Sequence, residues 1–173
     1  ILMGSVADTT IPAVYAHVPY DLKRDLVPLC QVISIPNFLV VAADSPYKTL
    51  ADLVAGAKAR PGKLSFASQG NGTSAHLAGE LFKNLARIEL VHVPYRGAGP
   101  AMTDLLGGQV DMMFATAAAA SPHIAGGKLR ALGVTTPQRT AAMKNVPAIA
   151  EAVPGYAVES WYGLCAPAGT PPE

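Results

Sequence analysis

Charge, cysteine and long apolar runs are all scarce in these 173 residues. Only 14% are charged, 13 basic against 12 acidic, for a net charge of +1. The basic residues are scattered, as at Lys23, Lys58, Lys83, Arg96, Lys128 and Arg139. That excludes the clustered basic face that nucleic-acid binding requires. No stretch can cross a bilayer: Phe38 to Ala43 is too short, and Val110 to Ala120 is interrupted by Asp111. The two cysteines, Cys30 and Cys165, are far apart and each lies in an apolar run. They read as two buried thiols, with a disulfide left open should the two segments be neighbours. No pair among His17, His76, His92 and His123 has metal-ligand spacing, and no H-E-x-x-H or paired CxxC occurs, so no metal is expected. There is no G-x-S-x-G elbow, and Asp104 and Asp111 fall on a helix and at a strand start. No nucleophile and base can be assembled, so the chain reads as no enzyme and as needing no cofactor. A charged leader is missing too: Ile1 to Gly4 reads as the end of a buried strand, and Thr170 to Glu173 as a loop cut before its next element. Truncation at both ends is the expectation, with any signal peptide lying outside these residues.

Half of the residues are hydrophobic, the composition of a chain that forms a core. The segment up to Leu29, with Pro12, Pro19 and Pro28, reads as irregular. Cys30 to Ile35 and Asn37 to Ala43 read as strands around Pro36. Thr49 to Arg60 carries Leu50, Leu53, Val54 and Ala57 at helical spacing and stops at Pro61-Gly62. A strand–loop–helix unit then recurs. Strands are expected at 63–67, 90–93, 111–114 and 129–135, and helices at 73–86, 100–106 and 117–125, the second opening with Pro100 in its first position. A last extended run, Tyr156 to Ala166, returns toward the N-terminal material. Such alternation predicts an α/β fold, a mainly parallel sheet with helices on both faces.

Ligands of such sheets bind at the carboxyl ends of the strands. Three loops converge there: Ser68-Gln69-Gly70-Asn71-Gly72-Thr73-Ser74, Tyr95-Arg96-Gly97-Ala98-Gly99, and Ala115-Thr116. Each feeds a helix N-terminus, where unpaired N–H groups favour an anion. Gly70 and Gly72 either let backbone amides approach a ligand or serve a tight turn. Thr73 and Ser74 can cap the helix or meet the ligand. Arg96 either forks onto a carboxylate or faces solvent. His76 is either a ligand contact or, the stronger reading, a structural hydrogen-bonding group. Gly70 to Ala75 also fits G-x-G-x-x-G/A, which leaves open a nucleotide-binding α/β enzyme. The confirming acid is misplaced, however: Glu89 opens the next strand instead of closing it.

Several runs carry a family resemblance: Ser68 to Phe82 (SQGNGTSAHLAGELF), His92 to Gly97 (HVPYRG), Pro100 to Asp111 (PAMTDLLGGQVD), Gly127 to Leu132 (GKLRAL) and Ser160 to Leu164 (SWYGL). Together they resemble the extracytoplasmic receptors of tripartite tricarboxylate transporters, the Bug-type family, over nearly the whole chain. The resemblance implies a periplasmic binding protein-like Venus flytrap that captures a small carboxylate for membrane transport subunits. It assigns residues 1–36 to a partial first lobe, 37–158 to a complete second lobe and 159–173 to a return into the first. It also implies that a Gly-rich first-lobe loop and C-terminal helices lie outside this chain; a first lobe left with unpaired edges and an incomplete core predicts either a piece of a longer protein or a fragment that self-associates. Ligand residues carried over by position are Ser5, Ser68, Gly70, Asn71, Gly72, Thr73, Ser74, Tyr95, Arg96, Gly97 and Thr116. Val6-Ala7 and Ala115-Thr116 stand where the family has more polar pairs, which points to a monocarboxylate or aromatic acid. A sensory protein of the same fold is the alternative within this architecture.

Overall fold

The computed structural model describes residues 1–171; Pro172 and Glu173, the end of the expected return into the first lobe, lie outside them. The chain forms β1 (Leu2–Ser5), α1 (Val6–Val14), α2 (Leu22–Asp25), β2 (Leu26–Ala42), α3 (Leu50–Ala59), β3 (Leu64–Ser68) and α4 (Ser74–Ala86). It continues with β4 (Leu90–Pro94), α5 (Ala98–Leu106), β5 (Met112–Thr116), α6 (Ala117–Ala125), β6 (Leu129–Val134) and β7 (Glu159–Pro167). Short 3-10 turns lie at Ala141–Met143 and Ile149–Glu151. Among the described residues no helix is long and apolar enough to cross a membrane.

The strand β2 organises everything. Its first half, Leu26 to Pro36, pairs antiparallel with β7, which pairs antiparallel with β1. Its second half, Asn37 to Ala42, pairs antiparallel with β5 on one side and β6 on the other. β3 lies parallel to both β4 and β5. Four strands, β3 to β6, thus run in one direction with β2 inserted against them. The β1–β7–β2 ribbon is wholly antiparallel, so the molecule is a mixed α/β structure.

Alternation along the strands builds two cores. Leu39, Val41, Phe66, Met112 and Phe114 point to one face, against Leu50 and Leu53 of α3 and Ala75, Ala78 and Phe82 of α4. Phe38, Val40, Ala67, Met113 and Ala115 point to the other, against Ala101, Met102 and Leu105 of α5 and Ala120 of α6. Successive strand side chains face opposite ways, so apolar residues at every position demand helices on both faces.

The N-terminal reading needs correction. Residues 2–14 are ordered as β1 and α1, although Pro12 lies inside the helix. Proline cannot donate to the carbonyl four residues back. Here that carbonyl, Asp8 O, accepts a hydrogen bond from the Tyr20 hydroxyl at 3.3 Å. The two strands expected around Pro36 are one strand, because Pro36 stands where the partner changes and where its missing N–H breaks no ladder. Pro28 sits beside a register shift. β1 is not buried: Leu2 and Met3 are exposed. Cys30 is exposed and Cys165 half-buried, both free thiols, because the ribbon leaves much of its surface to solvent. α5 begins at Ala98 with Gly97 as its N-cap, two residues before Pro100.

Candidate functional site

β3, β4 and β5 end their parallel run at Ser68, Pro94 and Thr116, and their loops gather beside the ribbon. A cavity of about 250 Å³ lies at this junction. Ser5, Val6 and Ala7 line it from β1 and α1, Gln69, Thr73 and Ser74 from the loop before α4, Ala98 from α5, Thr116 from β5, and Ser160 and Tyr162 from β7. A larger hollow of about 830 Å³ runs along the flank of α4 past Trp161. No strand-to-helix loop opens into it, so the smaller cavity is the better candidate.

The cavity has no charged lining residue. Its polarity comes from four helix starts: α1, α4, α5 and α6 each contribute a residue at or next to the N-cap. Among the described residues no side chain caps the first turns of α5 and α6, whereas at α1 the Asp8 carboxylate accepts from the Ser5 amide at 2.7 Å and at α4 Thr73 Oγ1 accepts from the His76 amide at 3.4 Å. α3, which points elsewhere, is fully capped: Thr49 Oγ1 accepts from the Asp52 amide at 3.1 Å, and Asp52 accepts from the Thr49 amide at 2.9 Å. α5 and α6 therefore keep the most first-turn amides available for an anion, and each of the four helix ends adds its dipole, worth roughly 0.3–1 kcal/mol at an exposed site and more when sheltered.

A stack of rings holds the α4 loop. Phe66 lies on His92 with centroids 4.7 Å apart, and His92 lies on His76 at 4.2 Å. His92 Nε2 meets Ser68 Oγ at 2.7 Å, and the Gly72 amide donates to His76 Nδ1 at 3.1 Å. The second bond requires an unprotonated Nδ1 on His76. Burial, and then the neighbouring His76, pushes His92 down to about 4; burial likewise lowers His76. Both rings are neutral at pH 7. The Gly97 amide donates to Gln69 O at 3.2 Å and the Tyr95 amide to Ser68 O at 3.0 Å, tying the second loop to the first. Thr10 on α1 donates to Gly72 O, joining the loop to the ribbon side.

Of the residues expected at the site, Ser5, Thr73, Ser74 and Thr116 line the cavity. Ser68 is fully buried beneath it. Gly70 and Gly72 adopt positive φ, 137° and 79°, in a turn closed by the Thr73 hydroxyl donating to Gly70 O at 2.7 Å. Asn71 and Arg96 are exposed and stand outside the lining. Tyr95 donates to Asp104 at 2.7 Å, a bond that raises its pKa to about 12. Gly97, at φ 114°, starts α5. Sequence reasoning did not single out Gln69, Ser160 or Tyr162. Gln69 stood inside a quoted loop, and Ser160 and Tyr162 inside the last extended run, whose return was expected but whose contact with the cavity no local spacing marks. Glu89 precedes β4, at the end of that strand away from the loops, where it cannot serve a nucleotide's ribose.

One more group reaches the cavity wall. Asn37, the first residue of β2 to pair with β5, is fully buried. Its Nδ2 donates to Ser74 Oγ at 3.3 Å, and Ser74 Oγ donates to Ser160 Oγ at 3.1 Å. Asn37 Oδ1 has no hydrogen-bond partner among the described residues. An unpaired buried acceptor costs roughly 1–3 kcal/mol, so its retention needs a reason.

The model of the tripartite tricarboxylate transporter family receptor matches residues 1–173. The chain belongs to this family. It is 45% identical over 173 residues to the "UPF0065 protein in tcbD-tcbE intergenic region" of Pseudomonas sp. strain P51, covering 99% of the chain and 52% of that protein. Among solved structures, R. palustris Rpa4515 with adipate superposes with a TM-score of 0.93 at 36% identity, covering 98% of this chain and 57% of that one. The periplasmic binding protein BugD superposes with a TM-score of 0.90 at 30% identity, covering 98% and 57%. The chain thus spans about half the length of the curated relatives it matches.

Proposed function

We propose that the cavity between the ribbon and the β3–β6 sheet is the ligand cleft of a periplasmic solute-binding receptor that captures a small organic acid. Membrane subunits of a tripartite transporter would receive the ligand. The observation that carries this reading is the convergence of four helix N-termini on a cavity with no charged lining. Such a site neutralises a carboxylate with fixed dipoles and needs no buried cation. Its volume of about 250 Å³ lies below the range of drug-sized pockets, which suits a ligand of few atoms. The adipate held by the R. palustris neighbour supports the ligand class.

In this reading residues 1–36 and 159–173 belong to one lobe and 37–158 to the other. Closure bends the chain at Pro36–Asn37, where β2 changes sheets, and at Glu159–Ser160, where β7 begins. Ser5 and Tyr162 hold the acid from one side, and Gln69, Thr73, Ser74 and Thr116 from the other. Ser68, Gly70, Asn71, Gly72, Tyr95, Arg96 and Gly97 shape the loops that present the amides. The receptor carries out no chemistry on its ligand.

A thermal-shift screen of the full-length protein against tricarboxylates, dicarboxylates, acidic amino acids, aromatic acids and NAD tests this. A ligand present at 100 times its Kd adds about 2.7 kcal/mol to the native state. A rise in Tm with one class of acid is expected. No rise with any acid, together with a rise with NAD, would overturn the receptor reading in favour of a nucleotide site.

A further inference from the structure

We infer that Asn37 is a positioning residue for this cleft: through Ser74 it fixes the Ser160 hydroxyl as a hydrogen-bond donor toward the ligand. The inference rests on the receptor reading above. A carboxamide nitrogen can only donate, so it occupies a lone pair of Ser74 Oγ. Ser74 then gives its own hydrogen to Ser160 Oγ. The Ser160 hydroxyl makes no other hydrogen bond among the described residues, and Ser160 lines the cavity. Its remaining hydrogen is free for an acceptor there, which is what a carboxylate offers.

The unpaired Asn37 Oδ1 supports this orientation of the amide. Turning the amide over would place two unpaired donors where one unpaired acceptor now stands, and would let Ser74 donate to Asn37 instead of to Ser160. The chain would then run backwards and present lone pairs to the ligand. The three groups also come from three elements: β2 at its change of sheet, the first residue of α4, and β7. The donor is therefore set only when the ribbon and the β3–β6 sheet are correctly apposed.

The test is calorimetric titration of the full-length receptor with adipate and with its neutral diamide, adipamide. Asn37→Ala, Ser160→Ala and the double variant are compared with wild type. Asn37→Ala should weaken adipate binding about tenfold, the worth of one hydrogen bond to a charged group. It should weaken adipamide less, and should add little once Ser160 is already Ala. Should Asn37→Ala not fold, Asn37→Leu, which fills the buried volume without the amide and alters no cavity-lining residue's own side chain, gives the same comparison. Additive effects, or equal losses for acid and amide, would overturn the relay while leaving the receptor reading in place. Failure of the wild type to bind either compound, with no other acid bound in the thermal screen, would overturn both.

Discussion

Gly79 lies in the middle of α4, where alanine is ordinarily the better residue by about 1 kcal/mol. The packing decides the opposite. A Cβ placed on Gly79 would stand 2.1 Å from Phe66 Cε2, 2.5 Å from Cζ and 2.6 Å from Cδ2. Phe66 is fully buried, with Phe114 edge-on at 6.2 Å and His92 stacked at 4.7 Å, so it has nowhere to go. Overpacking a tight core costs about 1–3 kcal/mol and sometimes more, and contacts this short belong at the upper end. Gly79→Ala should lose about 2 kcal/mol net, or about 4–8 °C in Tm for a chain of this size. The strain also has a direction. Displacing Phe66 moves His92, and with it Ser68 and the loop before α4, so ligand binding should weaken more than stability alone requires. Urea denaturation and ligand titration of the same variant check both parts. Phe66→Leu in the Gly79→Ala background should recover part of the lost stability. An unchanged or raised Tm for Gly79→Ala would refute the packing argument.

Two further outcomes follow from buried polar groups. His92 and His76 have lowered pKa values when folded, so between about pH 6.5 and about 4 the unfolded chain takes up protons that the native rings refuse. Stability should be fully present above that window and fall as pH drops through it, and His92→Gln should flatten melting curves recorded across it. The Tyr156 hydroxyl, buried and donating to Ala78 O at 3.0 Å, should be worth about 1 kcal/mol, so Tyr156→Phe should lower Tm by about 2–4 °C.

The sheet-and-helix alternation was legible from Thr49 onward because each helix carried its own apolar stripe and its own stop, as with Leu50 and Leu53 ahead of Pro61-Gly62. The three strand-to-helix loops, two of them bearing glycine, were legible for the same local reason. The strands at the start of the chain and on either side of Pro36 were legible too, but the stretch from Ser5 to Leu29 was not. Pro12 argued against a helix that survives because Tyr20, eight residues on, satisfies Asp8 O. Pro36 argued for a break where the strand only changes partners. Two residues of the cavity wall were hidden as well. Ser160 and Tyr162 meet Ser74 and Ser5 only after the chain has completed the whole second sheet, and spacing carries no trace of such a contact. The His76–His92 stack shares this origin: one ring is on α4 and the other on β4, and only the parallel register of β3 and β4 brings them together.

The strand shared by two sheets also sets a timetable. Ser34 finds its partner Glu159 only 125 residues later, and Leu26 pairs with Pro167. At a synthesis rate of about 5–20 residues per second, the first half of β2 waits about 6–25 seconds for β7 to exist. Its second half can meanwhile join β5 and β6 as they emerge. The β3–β6 sheet is thus able to assemble early, and the ribbon must assemble last, by closing the longest loop in the chain. Throughout that interval Val27, Leu29, Val32 and Ile33 form an unpaired apolar edge. β7 pairs the backbone of that edge when it arrives, but leaves those four side chains exposed.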